Sequence, residues 1–178
     1  MLTDSQKHAL LDVARRAVTA QVTGGTPPVS SAIALPDVSG VFVTIKERGE
    51  LRGCLGTLKV TGPLAEQVAR CAADAASEDP RFSPVTVSEL SDLSVEVSVL
   101  GPLEPIDPTD PDAITIGRHG LVAEQGSRRG LLLPQVATEW GWTIEQFLRQ
   151  TCLKAGLRDD AWQHGAGIWR FDAEVFGE

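Results

Sequence analysis

Residues 40–58 read GVFVTIKERGELRGCLGTL, and this stretch decides the fold. From Gly40 to Lys46 β-branched and aromatic side chains dominate, which predicts a strand. Glu47 to Glu50, ERGE, supplies a turn, and Leu51 to Leu58, LRGCLGTL, returns, so an antiparallel hairpin is expected. The return strand is unusual. Gly53 and Gly56 bracket Cys54 and Leu55, and glycine inside a strand marks a bulge or a close backbone approach.

Upstream, Thr3 followed by Gln6 fits a capping box, and Leu10, Leu11, Ala14, Ala17, Val18 and Val22 recur at helical spacing. Gly24-Gly25 ends that helix and Pro27-Pro28 marks a loop. Downstream, Pro63 suits a helix start, and Leu64, Val68, Cys71, Ala72, Ala75 and Ala76 form a small-residue face able to approach a sheet closely. Asp79-Pro80 stops it. Leu93 to Leu100, LSVEVSVL, alternates as a half-buried strand should. Pro and Asp crowd Gly101 to Asp112, which predicts a surface loop.

Three further strands are expected at Ala113–Ile116, Gly120–Gln125 and Gly130–Leu133, the last two joined by GSRR. Thr143 with Gln146 caps another helix carrying Ile144, Phe147, Leu148, Cys152 and Leu153, with Gly156 as its stop. Ile168–Phe176 reads as a final strand, with Trp169, Phe171, Ala173 and Val175 on one face. The strands come as hairpins, without regular strand–helix alternation. The expected class is therefore α+β, with antiparallel sheets flanked by helices.

Composition narrows the function classes. The chain has 178 residues, 42% of them hydrophobic, enough for one globular domain or two small lobes sharing a core. No window approaches the ~20 unbroken apolar residues of a membrane span, so no membrane association is expected. The net charge of −8 disfavours nucleic acid as a partner. Three dispersed cysteines, Cys54, Cys71 and Cys152, make neither a disulfide framework nor a zinc site, and a cytoplasmic domain is expected. No G-x-G-x-x-G, Walker-A lysine or iron–sulfur triad occurs, so no cofactor and no metal are assigned.

LRGCLGTL, preceded by GVFVTIKERGE, strongly resembles the L-R-G-C-I-G hallmark of the AMME-syndrome candidate-region protein family, whose prokaryotic members are called AmmeMemoRadiSam system protein A. Leu55 stands where the family usually has Ile, a same-volume change. The similarity continues through AADAASEDPRFSPV (Ala72 to Val85), LSVEVSVLGPLEPI (Leu93 to Ile106), IGRHGL (Ile116 to Leu121), RGLLLPQVATEWGW (Arg129 to Trp142) and CLKAGL (Cys152 to Leu157), nearly the whole chain. The resemblance implies one compact α+β domain over residues 1–178, built of two intimately packed lobes with a cleft bordered by the hairpin. It also implies two partners, a Memo-type protein and a radical-SAM protein. It brings no settled reaction with it.

The candidate site follows from residue chemistry. Cys54, bracketed by Gly53 and Gly56, offers a thiol that a ligand reaches without side-chain obstruction, and Arg52 is a cation able to favour its thiolate. The alternative is a small buried residue packed between sheet and helix. Arg52 and Cys54 share a strand face only if no bulge intervenes. Arg52 suits a carboxylate or phosphate bidentately, or else pairs with an acid such as Asp79. Asp79 and Arg81 form a compact charged turn, either a local ion pair or one wall of the cleft. His119 is a candidate general base for the thiol, or a histidine bonded to a turn carbonyl. Arg128 and Arg129 read as solvated charges, and Trp140 and Trp142 as core.

Three functions follow. The cleft around LRGCLG binds a small anionic molecule or peptide as a component of the system named above. Alternatively it is a thiol-dependent enzyme using Cys54 and His119. The third, regulation of nucleic-acid processes, is the one the acidic charge opposes.

Overall fold

The computed structural model describes residues 2–28 and 38–178. The chain divides into two units, Met1–Leu100 with Glu174–Glu178, and Gly101–Ala173. Both combine helices with antiparallel strands, as the α+β reading expects.

In the first unit, α1 (Asp4–Thr23) starts on the predicted capping box and ends on Gly24, left-handed at φ 69°. Leu10, Ala14, Ala17 and Val18 are buried, with Leu11 and Val22 packed at the margin. Strands β1 (Gly40–Glu47) and β2 (Glu50–Thr57) form the hairpin, and β3 (Leu93–Leu100) pairs with the other side of β1. Arg48 and Gly49 both take positive φ, 51° and 89°, the combination that matches the twist of a two-residue hairpin. The order is β2-β1-β3, which leaves β2 on the edge.

Alternation on β1 and β3 sends Val41, Val43, Ile45, Val95, Val97 and Val99 to one face. There they meet α1 and α2 (Leu64–Ser77) in one core. Each such side chain contributes about 1.5–3 kcal/mol by leaving water. A six-residue 3-10 turn, Val87–Asp92, leads into β3.

The second unit holds β4 (Glu104–Pro105), β5 (His119–Gln125), β6 (Arg128–Leu132) and β7 (Gly167–Gly177). β7 pairs with β4 and β5, and β5 with β6. Helices α3 (Pro134–Glu139) and α4 (Ile144–Lys154) accompany them, α4 opening on the predicted Thr143–Gln146 capping box. Leu121, Ala123, Phe147, Leu148, Cys152 and Ile168 form the core.

Two local expectations are corrected. Ala113–Ile116 forms no strand: Ala113 and Ile114 are buried within a loop whose Ala113 carbonyl accepts from Arg170. A short apolar run between turn signals does not distinguish a strand from a buried loop. The predicted surface loop after Gly101 contains the two-residue β4. On β7 the face shared by Trp169, Phe171, Ala173 and Val175 is unevenly covered, with Phe171 buried and Val175 43% exposed, and Ile168 is buried as well. Phe171 is held by Gly120, where an added Cβ meets its ring at 2.2 Å.

Candidate functional site

The hairpin register explains where Arg52 goes. Lys46 pairs with Leu51 and Ile45 with Gly53, so Arg52 is the extra residue of a β-bulge. A bulge resets alternation, and Arg52 does not follow Cys54. Its guanidinium turns to the 83–89 segment: Nε donates to Glu89 Oε1 at 2.6 Å, Nη1 to the Ser83 carbonyl at 2.9 Å, and Nη2 to Glu89 Oε2 at 3.3 Å. The side chain is 13% exposed. Arg52 is a staple between β2 and this segment, and its acid is Glu89, not Asp79. The Arg52 hydrogen bond, with two from Thr86, holds the Glu89 carboxyl down at about 2.

Asp79 follows the end of α2 and is 4% exposed. Its carboxylate collects four donors. Oδ2 accepts the Cys54 backbone N–H at 2.9 Å and Arg81 Nη2 at 2.7 Å, while Oδ1 accepts Arg81 Nε at 3.0 Å and its backbone N–H at 3.1 Å. The Arg81 hydrogen bond, against the opposing effect of burial, holds the Asp79 carboxyl well below the usual carboxylate range. Arg81 itself keeps 55% of its side chain exposed. The Phe82 ring lies 5.5 Å from the Arg81 guanidinium and 5.9 Å from that of Arg52.

Cys54 is half-buried, whereas Cys71 and Cys152 are buried. Its Sγ accepts from Thr44 Oγ1 at 3.2 Å, and Thr44 is its partner across the hairpin. Burial pushes the Cys71 thiol up to about 11 and that of Cys152 upward also. Among the described residues Thr44 is the one side chain hydrogen-bonded to the Cys54 sulfur. A threonine hydroxyl donates to a thiolate but is no base at neutral pH.

The two glycines have packing roles. A Cβ on Gly53 meets the Ala75 carbonyl of α2 at 2.2 Å, and one on Gly56 meets the Phe42 ring and the Val41 carbonyl at 2.3 Å. Both openings beside Cys54 are filled by the protein itself. Gly53 lets α2 approach the sheet, as the small-residue face of that helix requires.

His119 belongs to the second unit. Its Nδ1 accepts the Thr115 N–H at 3.0 Å, so the ring is bonded within its own turn, but to an amide donor and not to the expected carbonyl. Burial, then the Arg170 charge, lowers its pKa. Arg128 donates to the Gly156 carbonyl at 2.8 Å and Arg129 lies 3.4 Å from Glu124. Trp140 is 71% exposed, not core, and stacks on Trp142 at 6.2 Å, with Trp142 packed against the second unit's interior.

Sequence reasoning missed Thr44, Glu89 and Glu96. Two-residue alternation along GVFVTIK already turns Thr44 and Lys46 away from Val43 and Ile45. The register then sets Cys54, Thr44 and Glu96 in one row across β2, β1 and β3, with Lys46 bound to Glu96 at 3.2 Å. Glu89 had a signal too, since Thr86 and Glu89 are spaced as a capping box, which the structure contains.

A groove of about 580 Å³, lined by Ala17, Gln21, Pro27, Ala69 and Arg70 among others, holds none of these residues. Among the described residues no cluster of three or more His, Cys, Asp or Glu is arranged to hold a metal ion, and no helix is long and apolar enough to cross a membrane.

Comparison with known proteins extends the likeness beyond the hairpin. A protein of Thermofilum pendens is 48% identical, across 99% of this chain and 92% of its own length. One from Methanothermobacter thermautotrophicus is 44% identical, across 99% and 96%. The crystal structure of the uncharacterised protein PH0010 from Pyrococcus horikoshii superposes with a TM-score of 0.90 at 40% identity, covering 99% of this chain and 93% of that one. The AMMECR1 family pattern spans residues 11–176, including the bulged hairpin, the Asp79–Arg81 turn and all but the last residue of β7, and the chain belongs to the AMMECR1 family.

Proposed function

We propose that the chain is a binding component that takes a small anionic molecule, or an acidic peptide segment, at the hairpin edge. In this reading Arg81 supplies the cation, Phe82 an apolar floor and Cys54 a neighbouring thiol. The setting is cytoplasmic, and the partners are a Memo-type and a radical-SAM protein, as the family resemblance implies.

One observation carries the reading. Of the two arginines beside the motif, Arg52 has its guanidinium bonded to Glu89 and two carbonyls, whereas Arg81 is fixed by Asp79 on one edge and half exposed on the other. A guanidinium held in one orientation with outward N–H groups is preorganised for a carboxylate or phosphate. The test is titration of the whole chain with a fluorescein-labelled hexaglutamate peptide. Arg81→Gln is expected to weaken binding about tenfold, the worth of one lost charge-assisted pair. Absence of saturable binding to the unaltered chain, or equal binding by the variant, overturns the reading.

A second reading, thiol chemistry, rests on Cys54 alone being outside the core and on the Thr44 hydroxyl that donates to its sulfur. No base accompanies that sulfur among its hydrogen-bond partners, which favours binding over catalysis. Its test is the rate of Cys54 alkylation by iodoacetamide at pH 7.5: a rate above that of a free model thiol, reduced by Thr44→Val, supports it, and an unchanged rate in the variant overturns it.

A further inference from the structure

The second unit contains a hollow of about 110 Å³, lined by Glu104, Arg118, His119, Arg170, Phe171 and Asp172 with the Gly101-Pro102 backbone. It is separate from the Cys54 surface and owes nothing to the reading of that surface.

Its chemistry is set by β4, β5, β7 and the turn before β5. Arg118 grips Asp172, with Nε donating to Oδ1 at 3.0 Å and Nη2 to Oδ2 at 3.4 Å. Arg170 donates from Nε to Glu104 at 3.0 Å and from Nη1 to the Ala113 carbonyl at 2.8 Å. Two guanidiniums thus stand against two carboxylates, and the charges balance. The hydrogen bonds do not. Each guanidinium carries five N–H groups, most of them uncommitted here, while the carboxylates are already engaged.

His119 adds the decisive donor. Because Nδ1 accepts the Thr115 N–H, the neutral ring carries its proton on Nε2. The side chain is 7% exposed, and Nε2 lies 3.8 Å from Asp172 Oδ1, beyond hydrogen-bond range. That leaves the Nε2–H with no acceptor among the described residues, on a side chain that lines the hollow Asp172 also borders. Phe171, 1% exposed, supplies an apolar wall.

We propose that this hollow binds a small oxyanion, a carboxylate or a single phosphoryl group. It is held by His119 Nε2–H and the free N–H groups of Arg118 and Arg170. A hollow of about 110 Å³ admits one such group. Glu104 and Asp172 keep the two guanidiniums in place and disfavour highly charged anions. His119 binds as the neutral ring, since protonating Nδ1 sets two donors, His119 and Thr115, against each other.

The experiment is imidazole NMR on the whole chain at pH 7.5 and constant ionic strength, titrated separately with inorganic phosphate and with acetate. His8 and His164 lie on the exposed surface and act as internal references. With at least one anion the His119 resonances are expected to move saturably while the other two stay still. Arg118→Gln, at a side chain 67% exposed and therefore benign for folding, is expected to weaken that binding about tenfold. Arg170→Gln is the second variant, accepted only if its spectrum remains folded. Saturation by phosphate alone or by acetate alone supports the site and fixes its class. No saturable shift with either anion, equal shifts at all three histidines, or undiminished binding by Arg118→Gln overturns it.

Discussion

The Asp79 carboxylate, one residue past the cap of α2, accepts the backbone N–H of Cys54 on the edge strand at 2.9 Å. This bond ties helix end to hairpin and covers an edge donor that otherwise faces solvent. Asp79→Ala removes the acceptor of four hydrogen bonds. It is expected to cost about 2–3 kcal/mol in urea unfolding and to speed exchange of the Cys54 amide. A change under 0.5 kcal/mol, or an unchanged exchange rate, refutes this anchoring role.

Acid sensitivity follows from the same pair of loops. Asp79 and Glu89 both have folded pKa values below their ordinary ones, so the unfolded chain binds protons first as pH falls. Their stabilisation is fully present above about pH 5 and is lost as pH drops through the ordinary carboxylate range toward 2. The double variant Asp79→Asn, Glu89→Gln is expected to be less stable at pH 7 and to show a flatter loss of stability below pH 4.5. Parallel curves for the two proteins contradict the assignment.

His119 acts at a higher pH with the same sign. Its folded pKa is lowered, so the fold favours the neutral ring and the unfolded state takes up the proton first. The contribution is intact above the ordinary value of about 6.5 and declines as pH falls below it. His119→Gln keeps an acceptor for the Thr115 N–H but has no imidazole to charge. It is expected to remove the part of the pH-dependent destabilisation that begins as pH falls below about 6.5, measured by thermal unfolding across buffers.

The hairpin, both helical capping boxes and the β3 strand were legible because each rests on local chemistry. What lay hidden was register. One inserted residue at Arg52 exchanged its expected partner for Glu89, and no spacing rule announces a bulge beyond the presence of glycine. A close approach at Gly53 and Gly56 was legible from glycine within a strand, but what approaches, the Ala75 carbonyl at one and Phe42 with Val41 at the other, was not. Ala113 and Ile114 misled because burial in a loop and burial in a strand leave the same short apolar signature. His119 was expected to bond a turn carbonyl; its partner is local, only four residues away, but is the Thr115 N–H, and residue type alone does not say which ring nitrogen accepts.

Gly53 offers a sharp test of that packing. Its added Cβ meets a backbone carbonyl at 2.2 Å, which cannot rotate aside. Gly53→Ala is expected to cost about 2 kcal/mol or more. Gly126→Ala is the control: nothing lies within 4 Å, and only its φ of 62° opposes the substitution, at about 1 kcal/mol. If Gly126→Ala proves the more damaging, the close approach of α2 to β2 is not the constraint on this strand.

The three cysteines distinguish unfolding of the two units. Native chain exposed to iodoacetamide is expected to label at Cys54 first, because Cys71 is 4% exposed with its thiol near 11, and Cys152 is 0% exposed. Cys71 lies in the first unit and Cys152 in the second, so each reports the opening of its own core. β7 belongs to both, with Ala173 in the second unit and Glu174 in the first. Its end and the residue that follows are held at the first unit: the Leu2 N–H donates to Glu174 at 2.8 Å, and the Val95 N–H to Glu178, just past the strand, at 3.0 Å. Losing β7 removes a strand from the second unit and these anchors from the first. Cys71 and Cys152 are therefore expected to become reactive at the same urea concentration, as two reporters on one cooperative transition. Separated midpoints show that the units unfold independently and that the shared strand does not couple them.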